Sequence, residues 1–463
     1  MPHDTPLTDA LRPPLDPGFE PATLWMRAFR AAAAGSGRQA ELALERPDGA
    51  VYRHRLPLLP DAAETRPRNL RALERTVKFL LWQKGAATLH LAGAPELSAS
   101  LRQLYSPGNA RAFDAETIAE KVFLRPLAAH DCAPGALPAP RDSSVALGGH
   151  TAGCRIGFDL GGSDRKCAAV IDGEAVFTEE IPWDPYFQSD PEYHRAGIED
   201  SLQRAAKHLP RVDAIGGSAA GIYIDNEPRV ASLFRGVPAA AFDRTVRPLF
   251  KTLRAAWNDV PFVVVNDGEV TALAGAMALQ DNAILGIAMG TSQAVGYCGP
   301  DGRITSWLNE LAFAPVDFRE DAPVDEWSGD HGCGVQYFSQ QAVARLAPVA
   351  GIALPDDLPF AERLVAVQER MAVGDERARR IYETIGAYLG WTIPWYADFY
   401  TLRHVLLLGR VTSGAGGAVI IAQAEAVLKT AFPALHEQVR ISMPDETFKR
   451  HGQAVVAASL PAS

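Results

Sequence analysis

The sequence predicts an α/β fold built on a repeated strand–turn unit, with a small α/β extension ahead of it. Three observations carry that expectation. The apolar run Arg155-Ile156-Gly157-Phe158-Asp159-Leu160 enters the turn Gly161-Gly162-Ser163, and Leu285-Gly286-Ile287-Ala288-Met289 enters Gly290-Thr291-Ser292. Aligned without gaps so that Gly157 falls on Gly286, Gly161 falls on Gly290, Ser163 on Ser292 and Asp172-Gly173 on Asp301-Gly302. Agreement of strand, glycine turn and hairpin turn together indicates a duplicated β-hairpin unit. Second, Pro261 to Val265 is an apolar strand ending in Asn266-Asp267 before an alanine-rich helix, the strand-to-helix step of an α/β sheet. Third, a Pro/Gly/Ser-rich stretch from Ala133 to Gly149 reads as a linker between the two parts.

The elements follow in order. Residues 1–39 begin with five prolines in the first twenty positions and are expected to form a flexible arm. Alternation through Glu41–Glu45 and Val51–Leu56 around Asp48-Gly49 predicts a hairpin. Helical spacing from Asn69 to Lys84 stops at Gly85, Thr88–Ala92 is a short strand, and Pro95–Leu104 a helix. Residues 40–132 therefore read as a small α/β extension of unknown role, with 133–153 as linker. Beyond it, Lys166–Ile171 and Ala175–Glu179 are strands flanking the Asp172-Gly173 turn, and Val405–Leu408 is a strand leading into a glycine-rich turn and an apolar helix.

Composition narrows the function. The chain has 463 residues, 47% hydrophobic and 22% charged, as in ordinary globular proteins. Its formal charge of −10 disfavours nonspecific binding to nucleic acid or anionic membranes, so neither partner is expected. No membrane-spanning run and no secretory signal are apparent. Cys132, Cys154, Cys167, Cys298 and Cys333 are scattered without a CxxC pair, which favours reduced thiols and a cytoplasmic location.

The chemistry-bearing residues gather at strand ends. A Gly-Gly-Ser turn exposes backbone N–H groups that can cradle phosphate oxygens, and a Cβ there would block a ligand's approach. Asp159, just before the turn, can hold Mg²⁺ through water, and Lys166 can balance phosphate charge. Asp267, at the end of its strand, can take a proton from a substrate hydroxyl, with Asn266 and Glu269 adding hydrogen bonds. An Asn-Asp pair in this place is equally a helix N-cap. The turn at Leu408-Gly409-Arg410 can pack a flat base against backbone.

In this order, these segments resemble the ROK (repressor, ORF, kinase) sugar kinases, within the wider actin, hexokinase and Hsp70 nucleotide-binding superfamily. The resemblance covers about 154–460. Asp159-Leu160-Gly161-Gly162-Ser163 looks like the first phosphate motif and Gly290-Thr291-Ser292 like the second. Val265-Asn266-Asp267 looks like the motif of the catalytic base, and Gly409 falls where adenosine is contacted. The resemblance implies two RNase H-like lobes around a nucleotide cleft, 154–282 and 283–463, with ATP and Mg²⁺ between them. It implies that Asp267 deprotonates a sugar hydroxyl for attack on the γ-phosphoryl group. Gly217 and Ser218 lie in a segment resembling the loop that lines the sugar cleft, and Glu310 matches a sugar-contacting glutamate. A homodimer is expected by analogy alone.

The departures bear on specificity. Phe313 replaces a histidine that serves sugar and zinc in relatives, Val335 a second sugar-contacting glutamate, and of a cysteine cluster Cys333 alone remains, so no zinc is expected. Arg410 replaces a glycine, and Asp164 stands where a lysine is common. The segment Ser232 to Pro238 lies where a sugar-binding asparagine is usual and holds no clear equivalent; its Arg235, entering the cleft, would favour an acidic or phosphorylated acceptor. Besides a sugar kinase, the sequence leaves open a non-catalytic sensor on the same fold and an ATPase without a small-molecule acceptor.

Overall fold

The computed structural model describes residues 11–142, 147–355, 357–444 and 446–462. The chain divides into two compact units. One gathers the N-terminal residues up to 142 with 287–295 and 307–443; the other gathers 147–286, 296–306 and the C-terminal residues from 444.

The first unit opens with residues expected to be a flexible arm. Positions 1–10 lie outside the described residues, but from Leu11 the chain is packed. Trp391 Nε1 donates to Leu11 O at 3.0 Å, Tyr388 Oη donates to Asp16 at 2.7 Å, and Met26 and Phe29 of the helix Ala22–Ala33 are fully buried. The prolines direct a pinned segment because their neighbours supply apolar anchors. Strands β1 (Arg38–Glu45) and β2 (Val51–Leu58) form the expected hairpin, with Gly49 at φ +86° in the turn. The helix Arg66–Lys84 ends at Gly85, whose φ of +76° stops it. Strand β3 (Thr88–Ala92) pairs antiparallel with β1 and parallel with β4 (Ala128–Cys132), giving the order β2-β1-β3-β4. The linker expected over 133–153 is tied down in its first half: Arg53 donates to the carbonyls of Leu137 and Pro138, and Arg141 bridges Val51.

The second unit carries a five-stranded sheet of order β11-β8-β5-β6-β7. Strands β5 (Cys154–Leu160), β6 (Asp164–Ile171) and β7 (Glu174–Pro182) form an antiparallel meander. Its second turn uses Asp172 and Gly173 at φ +49° and +88°, as a two-residue hairpin loop requires. Strand β8 (Ala214–Ala219) pairs parallel with β5, and, past the small hairpin β9 (Ile222–Ile224) and β10 (Glu227–Val230), β11 (Phe262–Asn266) pairs parallel with β8. One side of this sheet packs its apolar residues on the helices Pro191–Ala206 and Leu249–Ala256. Against the other lies the C-terminal helix Glu446–Ala457, which sits directly on Gly157 and Gly216, where a Cβ would strike the carbonyls of Ala454 and Ala457. The C-terminal segment thus belongs with residues 147–286, correcting a second lobe drawn as 283–463. Two glycines in successive strands were the available signal for a close helix.

Strands β12 (Ile284–Met289) and β13 (Gln293–Cys298) are neighbours, and the boundary between the units falls within both. With β14 (His404–Leu408) and β15 (Arg440–Ser442) they form a sheet of order β13-β12-β14-β15. The 22-residue helix Glu376–Ala397 and the helix Ala415–Ala431 pack together, Gly386 and Gly390 permitting close approach.

Candidate functional site

Register in the second unit's sheet assembles the principal site. Asp159 of β5 lies opposite Ser218 of β8, and Ser218 opposite Val265 of β11, so the C-terminal edge of three parallel strands holds Asp159, Ser218, Asn266 and Asp267. Ligands of open α/β sheets bind at such an edge. Asp159 is buried; its Oδ1 accepts from Ser218 Oγ at 2.6 Å and its Oδ2 faces Lys166 Nζ at 3.5 Å. Burial pushes its pKa up against those two partners. Asp267 begins the helix Asp267–Leu279 and is partly exposed. Its Oδ1 accepts from Gly268 N–H at 2.9 Å, and its own backbone N–H also bonds the carboxylate. Desolvation first, then the charge of Asp159, pushes Asp267 up to about 6. Tyr223 of β9 also feels Asp267; burial with that charge pushes its hydroxyl up, and its Oη donates to Ala220 O at 3.3 Å.

The first glycine turn is held open from behind. Gly161 N–H donates to Asp164 O at 2.9 Å, Trp183 Nε1 donates to Gly161 O at 2.8 Å, and Trp183 N–H donates to Ser163 O at 3.1 Å. The N–H groups of Gly162 and Ser163 have no acceptor among the described residues. Gly162 is required because Tyr186 Oη occupies the space of any Cβ. Two amides without protein partners in one turn form an anion cradle. Asp164 competes for it: Lys166 Nζ pairs with Asp164 at 2.6 Å, and Ser163 Oγ donates to Asp164 at 2.9 Å.

In the first unit the second turn has a similar form. Gly290 N–H donates to Ser292 O at 2.9 Å, and Gly290 O accepts from Gln340 N–H at 2.9 Å, while Thr291 and Ser292 are exposed or nearly so. Gly409, at φ +91°, closes on the backbone of Met289, so β14 delivers its turn beside Gly290. A cavity of about 250 Å³ lies next to that turn, lined by Gln368, Met371, Tyr382 and Gly414 to Gly416. Arg410 is exposed, and its carbonyl accepts from Gln368 Nε2 at 2.8 Å.

Several expected substrate contacts have structural partners instead. Gly217 is buried with the Phe158 ring where a Cβ would go, so it is a packing glycine. Ser218 is fully buried and orients Asp159. Asn266 caps the helix, its Oδ1 accepting from Gly268 N–H at 2.7 Å and its Nδ2 donating to Gly221 O at 2.8 Å. Glu269 is buried and accepts from Tyr297 N–H at 3.2 Å. Glu310 lies in the other unit from Asp267, its N–H donating to Trp82 O at 3.0 Å. Arg235 is exposed, stacked 4.1 Å from the Tyr186 centroid and 4.9 Å from that of Phe187, and has no carboxylate partner among the described residues. It thus stands beside the tyrosine that abuts Gly162. Tyr186 and Tyr223 were not singled out from sequence; the Ile222-Tyr223-Ile224 alternation was the one signal available for the latter.

Phe313, Cys333 and Val335, in the segments where the sequence departs from the resembled motifs, are buried or stacked. Phe313 stacks on Trp82 with centroids 4.4 Å apart and lies 5.3 Å from Phe113, while Ala312, Cys333 and Val335 form a buried cluster. Burial pushes the Cys333 thiol up. The Cys333 Sγ points to Asp330, within the reach of Lys78 and Arg75. Among the described residues, no group of three or more His, Cys, Asp or Glu side chains is placed to hold a metal ion. Likewise, no helix among them is long and apolar enough to cross a membrane.

No known family model matches the sequence, and no curated protein matches it. Among solved structures, the chain is similar to a ROK hexokinase from Thermus thermophilus, at 18% identity and a TM-score of 0.51, over 66% of this chain and 96% of that one. It is also similar to a ROK family transcriptional regulator, a homologue of the E. coli MLC protein, at 18% identity and a TM-score of 0.52, over 66% of this chain and 78% of that one. Over about two thirds of its length the chain therefore has the fold shared by ROK kinases and regulators.

Proposed function

We propose that the protein transfers the γ-phosphoryl group of ATP to a hydroxyl of a sugar or sugar-like small molecule, with Asp267 as general base. The observation that carries this reading is the meeting of two unlike acidic positions on one strand edge. Asp159 is held by the Ser218 hydroxyl and the Lys166 ammonium beside an amide-bearing turn, whereas Asp267 has only backbone N–H donors and no cationic partner among the described residues, and is pushed up to about 6. Carboxylates of divergent environment divide the labour of phosphoryl transfer, one near the metal and one at the nucleophile.

In this reading the amides of Gly162 and Ser163 receive phosphate oxygens, with Lys166 supplying positive charge. Asp159 would hold Mg²⁺ through water, and the ion would neutralise charge on the transferring group. Gly290, Thr291 and Ser292 are the second phosphate turn, and the cavity beside Gly414 is the candidate for the base. The Asp267 carboxylate accepts the proton from the acceptor hydroxyl. Arg235 favours acceptors carrying an acidic group.

Asp164 favours a second reading. By pairing with Lys166 and bonding Ser163 it ties up the cation and hydroxyl of the first turn, which suits a ligand sensor that binds nucleotide weakly or not at all. A coupled ADP-release assay across sugars, sugar acids and sugar phosphates separates these. Acceptor-dependent turnover that is lost in Asp267→Asn supports the kinase. ATP turnover without an acceptor points to an ATPase, and ligand-induced thermal shifts without turnover point to the sensor.

A further inference from the structure

The first unit contains a cavity of about 470 Å³ that has no part in the chemistry above. It lies among β2, the end of the helix Arg66–Lys84, residues 140–142 and the chain just past the helix Glu376–Ala397. Its volume is in the range of small-molecule sites. Two polar side chains on its wall are more than nine-tenths buried. Gln83 is wholly buried, and its Oε1 has no hydrogen-bond partner although its Nε2 donates to Phe399 O at 3.1 Å. Lys84 is 8% exposed and makes no ion pair among the described residues, its Nζ resting over the Trp307 ring and 5.1 Å from the Tyr52 centroid. His54, stacked on Phe399, leaves Nε2 without a partner.

The charges around this wall are unevenly committed. Arg53 bonds only backbone carbonyls and Arg141 has no carboxylate partner among the described residues, so two guanidinium cations and the Lys84 amine face the cavity without a carboxylate partner. Of the two carboxylates, Asp398 is held by Arg30 at 2.6 Å, and Asp142 faces Lys84 without offsetting its burial. Arg46, on β1, points its guanidinium at Lys84 O and Asp48. Two guanidinium groups without carboxylate partners, an amine that an anion can recharge, an aromatic wall and unfilled hydrogen-bond positions on Gln83 and His54 describe one kind of guest.

We propose that this cavity is a second small-molecule site that takes a hydroxylated carboxylate, its anion received by Lys84 with Arg53 and Arg141 at the rim, its hydroxyls bonded by Gln83 and His54. The buried Lys84 amine is pushed down to about 6 by desolvation, so at about pH 7.5 the empty site holds it mostly neutral. A bound carboxylate favours the ammonium form, so binding draws a proton from solvent.

Calorimetric titration of the full chain with gluconate, in two buffers of different protonation enthalpy at about pH 7.5, tests this. Sorbitol is the uncharged control. The expected result is gluconate binding with uptake approaching one proton per site, and no binding of sorbitol. Lys84→Met should abolish both the binding and the uptake. Arg53→Gln, an exposed change that leaves the core intact, should weaken binding several-fold and keep the uptake. Failure of gluconate, lactate and citrate alike to bind at millimolar concentration overturns the site. So does binding that takes up no proton, or that survives Lys84→Met in a variant whose melting shows it folded, since such binding belongs elsewhere.

Discussion

At Asp267 two demands conflict. A base must be ionised to accept a proton, yet desolvation and the neighbouring charge of Asp159 hold its pKa near 6. The acceptor-dependent kcat/KM should therefore fall as pH drops through about 6, and a pH–rate profile checks it. Asp267→Asn should reduce kcat by about 10²–10⁴-fold, the usual worth of a positioned base. The same change should stabilise the fold. An acid whose folded pKa lies above its unfolded value binds its proton more readily when folded, so the ionised group costs stability above pH 6. That cost fades as pH falls towards the model-compound value of 3.8. Urea melts of Asp267→Asn should show a gain of about 1–2 kcal/mol at about pH 7.5 that vanishes near pH 4. At Asp164 the effect concerns nucleotide instead. Asp164→Asn releases Lys166 and Ser163 to phosphate and should lower KM for ATP roughly fivefold, a change of about 1 kcal/mol. An unchanged KM would show that the turn does not meet phosphate.

Among the elements, what was legible in sequence and what was not have one physical origin. Local codes read well. Asp48-Gly49, Asp172-Gly173 and Gly85 mark turns and a helix stop because positive φ restricts residue choice, and each stands where expected. Alternation located β1 to β3, and the strand-end placement of Asp159 and Asp267 followed from the strands alone. What escaped depends on partners distant in the chain. Nothing local shows that Gly217 faces the Phe158 ring or that Glu269 meets Tyr297 N–H, so both read as site residues. Nothing local places Tyr186 on Gly162 either. Gly409 combines both kinds of information, a left-handed φ and a backbone approach to Met289. Gly409→Ala must strain one or the other, at about 1–3 kcal/mol. Because Met289 precedes the second turn, it should also raise KM for ATP while leaving any ATP-independent ligand binding unchanged, which steady-state kinetics and thermal shift measure together.

For the whole chain, the question is whether the first 142 residues are an accessory to the fold or part of it. Their separation by a proline-rich stretch favoured an accessory. Their packing within the first unit argues otherwise. Arg75, Lys78 and Arg111 face Glu74, Asp114 and Asp330 in a buried, charge-balanced cluster, with Asp330 contributed from far along the chain. Trp82 Nε1 adds a bond to Asp114 at 2.9 Å and stacks its ring on Phe313, and Phe79 stacks on Phe399 at 4.1 Å. Balanced buried ions tolerate the loss of none, because each removal strands an opposite charge away from water. Asp330→Asn leaves three cations against two carboxylates and should destabilise by about 3–5 kcal/mol. The exposed pair Arg195–Glu192 should yield well under 1 kcal/mol when broken. Comparing urea midpoints of Asp330→Asn and Glu192→Gln measures the contrast. Similar small losses in both would mean that the extension rests on its partner surface without being built into it, and a chain begun after the linker would then be expected to fold. A large loss confined to Asp330→Asn makes the extension an internal wall, built into its unit by aromatic rings and paired ions.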